Sequence, residues 1–196
     1  LAFQLGWEDG AALGRAVEFA GTAQQISPGM PEAHWVLGFV ETQRRRHADA
    51  ITHLQRALRL NPSYADAYAL MGGIKTYTGQ PAESVPLLRT ALRLNPEGGS
   101  LYFLLLGRAL YFLGEYEQAR VNLEQALARN AENAEARVYL ATVLGQLGDR
   151  EGAAWQVNEI RVVEPNFSAQ RWLATYPMTD ERQKERLAKA LLPLGL

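Results

Sequence analysis

The sequence predicts an all-α superhelix of stacked helical hairpins, closed by a C-terminal helical cap. Three observations carry this reading. The chain resembles itself at a period of 34 residues. Within each period the apolar residues recur at helical spacing and do not alternate. The breaks between helices are short, which makes neighbouring helices run antiparallel.

Four segments share the period. Leu37-Gly38, Ala50-Ile51, Leu54, Ala57-Leu58 and Asn61-Pro62 form the first. Met71-Gly72, Ser84-Val85, Leu88, Ala91-Leu92 and Asn95-Pro96 follow, with one extra residue near Gly98-Gly99. The third has Leu106-Gly107, Ala119-Arg120, Leu123, Ala126-Leu127 and Asn130-Ala131. The fourth has Leu140-Ala141, Ala153-Ala154, Val157, Ile160 and Glu164-Pro165. Projected backwards, the register lands on Ala16, Ala20, Ala23 and Pro28, so the chain is expected to open inside an earlier repeat. The units are a partial one over 1–30 and full ones over 31–64, 65–99, 100–133 and 134–167.

Helices are expected near 33–45, 48–60, 65–78, 82–94, 100–113, 116–129, 134–147 and 150–163. Gly79-Gln80-Pro81, Gly114-Glu115 and Gly148-Asp149 punctuate the hairpins. A proline after Asn61, Asn95 or Glu164 disfavours helical geometry in the residue before it and ends the second helix. Gly38, Gly72, Gly107 and Ala141 are small where one helix must approach its partner. Ala50, Ser84, Ala119 and Ala153 answer them from the second helix.

After Pro165 the register is lost. A short helix is expected within Phe167–Thr175, a break at Tyr176-Pro177, and a last helix capped by Thr179 or Asp180 and running to about Leu192. Leu187, Ala190, Leu191 and Leu194 would pack this helix on the last hairpin, because an open solenoid end exposes a core face. Residues 168–196 are therefore read as capping helices.

This pattern resembles the tetratricopeptide repeat (TPR) over about residues 1–167. The resemblance implies a tetratricopeptide-type α-α superhelix, a right-handed solenoid whose concave surface is lined by the first helix of each pair and holds other proteins. The positions beside the structural glycines then face inward. They are Trp35, Phe39 and Gln43; Ala69, Gly73 and Tyr77; Leu104, Arg108, Tyr111 and Phe112; and Val138, Thr142 and Gln146. Family members that grip acidic chain termini use Lys, Arg and Asn there. The matching positions here hold Phe39, Gly73, Arg108 and Thr142, of which only Arg108 fits, so an extended or helical hydrophobic segment, of another protein or of this chain's own missing N-terminal portion, suits this groove better. Tyr68, Tyr102, Phe103 and Tyr139 are read as packing between helices. More loosely, Ala33-His34-Trp35-Val36-Leu37-Gly38, Leu58-Arg59-Leu60-Asn61-Pro62 and the ending around Trp172, Tyr176-Pro177 and Leu194-Gly195-Leu196 look like the repeat regions that follow bacterial adenylate or guanylate cyclase domains, or those of bacterial regulators. This implies the regulatory part of a longer signalling chain.

Composition narrows the function classes. With 20 Lys and Arg against 21 Asp and Glu, the net charge is -1, and no charge imbalance points to nucleic acid. The densest basic run, Arg44-Arg45-Arg46-His47, falls at a turn and is read as solvated. There is no cysteine, which fits a reducing compartment, and a cytoplasmic location is expected. The longest apolar run, Leu101 to Leu113, is broken by Gly107 and Arg108 and is too short to span a bilayer. Leu1–Asp9 lack the basic opening and apolar run of a signal peptide, and the missing Met suggests a fragment or processed chain. His34, His47 and His53 do not form a metal motif, and there is no nucleophile elbow or phosphate loop, so neither cofactor nor enzymatic activity is expected. Two classes stay open: an interaction module binding a protein or peptide in its groove, and a structural extension that self-associates through an outer face or chain end.

Overall fold

Three of the four full hairpins are closed by the same contact between a glycine and a leucine. The computed structural model describes residues 10–196. It pairs α2 (Pro31–Gln43) with α3 (His47–Leu60), α4 (Ala65–Tyr77) with α5 (Pro81–Leu94), α6 (Ser100–Leu113) with α7 (Tyr116–Arg129), and α8 (Ala134–Leu147) with α9 (Arg150–Val163). Each bound lies within two residues of the interval read from the sequence. A Cβ added at Gly38, Gly72 or Gly107 would lie 2.9, 2.7 or 2.6 Å from the γ carbon of Leu54, Leu88 or Leu123. The carbonyls of Ala50, Ser84 and Ala119 would stand only 3.2–3.3 Å away. Leu54, Leu88 and Leu123, with Ala57, Ala91 and Ala126, are fully buried. The second helices thus bury one narrow stripe and leave the opposite face in solvent.

The turns inside the hairpins are equally regular. The amides of Arg46, Gln80, Glu115 and Asp149 each bond the carbonyl five residues earlier, at 2.8–3.0 Å. This is the closing bond of a Schellman motif, which needs a left-handed residue just before it. Gly79, Gly114 and Gly148 supply it at φ 80, 81 and 84°. In the first full hairpin the same position is Arg45, at φ 59°.

A leading helix, α1 (Gly10–Ile26), packs on α2 as the second helix of the preceding unit. Residues 1–9, where that unit's first helix would end, lie outside the described residues. After α9 come α10 (Ala169–Thr175) and α11 (Glu181–Leu191), then a 3₁₀ turn, Leu192–Leu194. Asp180 caps α11 by accepting from the amide of Gln183 at 2.9 Å. No helix among the described residues is long and apolar enough to cross a membrane.

Candidate functional site

The first helices of the hairpins meet one another in order, α2 with α4, α4 with α6, and α6 with α8. Together they form one continuous face. The chain's own C-terminal segment lies across this face. The sequence reading set the tail on the last hairpin. The tail does touch α8 through α11, but Tyr176–Asp180 reaches back as far as α3 and α4.

The deepest contact is a buried phenol. Tyr176 is 2% exposed and sits against Arg108, which is fully buried. One Arg108 guanidinium nitrogen donates to the hydroxyls of Tyr176 at 2.8 Å and Tyr77 at 2.7 Å, and to Glu135 at 3.1 Å. The other donates to the Gly73 carbonyl. The Tyr176 hydroxyl donates in turn to Glu135 and accepts from Tyr139. Tyr77 meets the Tyr176 ring edge-on at 5.3 Å, and Trp172 covers its other side at 4.4 Å. Burial opposes the charge on Arg108, but the surrounding phenols and Glu135 outweigh it and hold its pKa well above the ordinary value. Burial also pushes the hydroxyls of Tyr77, Tyr139 and Tyr176 up, so all three stay protonated donors.

The strap around Tyr176 is held by its backbone. Arg45 donates to the carbonyls of Ala174 at 2.6 Å and Tyr176 at 3.1 Å. His47 Nε2 lies 2.9 Å from the Pro177 carbonyl, which requires the proton on that nitrogen. The amides of Thr179 and Asp180 both donate to the carbonyl of Tyr77, the last residue of α4. That carbonyl would otherwise be an orphan of the helix end. Further along, Arg186 does the same for α6, donating to the carbonyls of Phe112 at 2.8 Å and Tyr111 at 3.1 Å.

Arg44, Arg45 and Arg46 are exposed, as a solvated turn implies, while His47 is buried, and all four also have partners within the chain. Arg44 and Arg46 pair with Glu41, while Arg45 and His47 grip the tail. A sequence signal was present: Arg45 stands where Gly79, Gly114 and Gly148 stand in the other hairpins.

Of the groove residues anticipated, Tyr77, Leu104, Arg108, Tyr111, Phe112 and Thr142 are all buried. The groove is aromatic-lined but partly filled, because Tyr176 and α11 cover much of this row. Trp35 is half-buried, stacked on Phe39 and donating its indole N–H to the Asp66 carbonyl. Gln146 is exposed and, with Tyr111, borders a recess beside Arg186 and Lys189. Phe39, Gln43, Tyr77, Leu104 and Arg108 do come together. They line a cleft of about 540 Å³ that the tail leaves unfilled, together with Glu135, Phe167 and Trp172. Phe167 and Trp172 belong to the tail, so sequence periodicity had no means of placing them there. No group of three or more His, Asp or Glu side chains among the described residues could hold a metal ion.

Comparison with known families agrees with this architecture. Tetratricopeptide repeat models match residues 7–68 and 104–161, and another matches 65–97. The chain belongs to the tetratricopeptide repeat family. Among solved TPR-type structures, a thermophilic TPR protein of Thermus thermophilus superposes with a TM-score of 0.67 at 23% identity, covering 93% of each chain. YrrB, described as a TPR protein with an unusual peptide-binding site, matches with a TM-score of 0.62 at 23% identity over 89% of this chain and 92% of its own. PilW, a widely conserved type IV pilus biogenesis factor, matches with a TM-score of 0.70 at 19% identity over 94% and 84%. At these identities the likeness speaks for the shared TPR fold. No curated protein matches the chain significantly.

Proposed function

We propose that this TPR chain is a non-enzymatic scaffold that holds an extended, largely apolar segment of a partner protein on its concave face. The observation that carries the reading is the cleft beside the tail. Phe39, Leu101, Leu104, Phe167 and Trp172 line it with apolar surface, and Gln43, Asn133 and Glu135 add polar groups. Small convergent polar sets within an apolar wall suit orientation of a bound segment. The test is affinity capture with the native chain and a Phe39→Ala, Leu101→Ala variant of unchanged helical content. Equal capture by both would sink the reading.

The solenoid reading of 1–167 with a cap over 168–196, and a cytoplasmic place within a longer bacterial signalling protein, belong to the same proposal. The register break after Pro165 supports the first, and phrases that look like cyclase-linked repeat regions support the second. The coding sequence flanking this chain would test the last point directly.

A second reading, self-association, has one observation in its favour. On the outer face of α9, Trp155 and Val162 are 56% and 74% exposed, two turns apart on one stripe. Large exposed apolar residues on one stripe mark contact surfaces. A solution mass independent of concentration and equal to one chain would remove this reading.

A further inference from the structure

We propose that the concave face is a tyrosine-reading peptide site, occupied in this chain by its own residues 174–180. The partner is then an extended protein segment presenting a tyrosine followed by apolar residues, which takes the place of Tyr176, Pro177 and Met178. This rests on the reading of the concave face as the partner-binding surface and states what that surface recognises.

The strap is held as a bound peptide is held. Arg45 takes the carbonyls of Ala174 and Tyr176, His47 takes that of Pro177, and the Tyr77 carbonyl takes the amides of Thr179 and Asp180. These bonds go to backbone atoms, so any extended segment in the same place could make them. Side-chain recognition is concentrated in Tyr176, Pro177 and Met178, the three strap residues that are buried. Of these, only Tyr176 has a hydroxyl at its tip, and that group meets both donors and an acceptor. Arg108 and Tyr139 donate to the hydroxyl and Glu135 accepts from it. A site built in this way discriminates against a phenylalanine, which leaves those buried polar groups unpaired.

Arg45 supplies an independent argument. It adopts the left-handed backbone at φ 59° where the three other hairpins use glycine. A non-glycine residue there costs free energy that glycine would not. Its side chain is largely exposed and its guanidinium bonds the strap. The repeat itself has no need of an arginine at this turn; the strap does.

The site also has an entrance. The cleft that the tail leaves open is lined by Tyr77, Arg108 and Glu135, the same groups that surround the Tyr176 hydroxyl. An incoming segment seated against Phe39 and Leu104 therefore reaches the phenol pocket as the strap lifts.

The test uses the full chain and a labelled peptide of the sequence 172–182. Tyr176→Ala empties the pocket from the tail side and leaves Arg45, His47, Arg108 and Glu135 in place. The variant should bind the peptide about tenfold or more tighter than the native chain does, and a peptide with phenylalanine for the tyrosine should bind about tenfold more weakly, the loss expected for charge-assisted hydrogen bonds. A Tyr176→Ala chain that keeps its helical content and binds no tighter than the native one overturns the proposal. If that variant does not fold, Arg45→Gly decides, since glycine is what the other hairpins carry. Amide exchange at Thr179 and Asp180 should then speed up about tenfold with that of α5 to α8 unchanged, on the same basis. Unaltered exchange at those two amides overturns the proposal. Capture that still depends on Phe39 and Leu101 while peptide exchange fails would overturn this inference alone. The reverse pattern would overturn the open-cleft reading.

Discussion

The guanidinium of Arg108 donates to the hydroxyl of Tyr176 at 2.8 Å, joining groups 68 residues apart in the chain. Both are buried, and Glu135 completes the charge balance. Removing one member of a buried pair leaves the other uncompensated, at a cost of about 3 kcal/mol. Arg108→Met should lower the urea midpoint accordingly. Adding Glu135→Leu should restore most of it, because an apolar replacement of both partners is nearly neutral. A double variant as unstable as the single one would show that the network, not the charge, sets the loss.

Gly72 faces the γ carbon of Leu88 and the Ser84 carbonyl with no space for a methyl group. Gly72→Ala is expected to cost about 1–3 kcal/mol through overpacking, although alanine is the better helix former. Thermal unfolding checks this. Gly14, with nothing near its Cβ position, supplies the control: alanine there should be neutral or stabilising.

His47 is buried against the strap, and burial first, then repulsion from Arg45, push its pKa below the ordinary 6.5, with the bond to the Pro177 carbonyl working the other way. The sign follows. Above 6.5 the imidazole is neutral whether or not the strap is docked. Below it the undocked ring takes a proton that the docked ring resists, so docking weakens as pH falls through this range. Exchange protection of the 176–180 amides, corrected for intrinsic rate, should drop between about pH 7.5 and 5.5, endpoints set about one unit either side of an ordinary imidazole pKa. His47→Gln keeps an N–H donor without titrating, and its profile should be flat.

Arg186 joins α11 to the end of α6 through the Tyr111 and Phe112 carbonyls and to the start of α7 through the Tyr116 hydroxyl. Charge-assisted bonds of this kind contribute about 1.5–3 kcal/mol. Arg186→Ala should therefore loosen α11 ahead of the hairpins, seen as a separate early phase in exchange along Glu181–Leu191. Arg186→Lys should recover only part of the protection, since an ammonium lacks the planar fork that spans two carbonyls.

The repeat was legible from the chain alone because each of its determinants is local and recurs. Gly38, Gly72 and Gly107 each face a leucine sixteen residues later, and Asn61, Asn95 and Asn130 each end a helix. A contact between neighbouring helices leaves a mark at fixed spacing, and a period of 34 residues repeats that mark. Phe39, Gly73 and Arg108 meet at one cleft because they hold matching positions in successive repeats. The exposure of this row was not legible. Whether Tyr77, Arg108 and Tyr111 meet solvent depends on where residues 174–191 fold, and these have no counterpart elsewhere in the chain to set a register. Arg45 is the intermediate case. The sequence shows it breaking a glycine pattern, but only the folded tail, through the carbonyls of Ala174 and Tyr176, shows what the arginine is for. Short-range sterics thus determine the solenoid, while long-range burial of one tyrosine decides how much of its concave face is free.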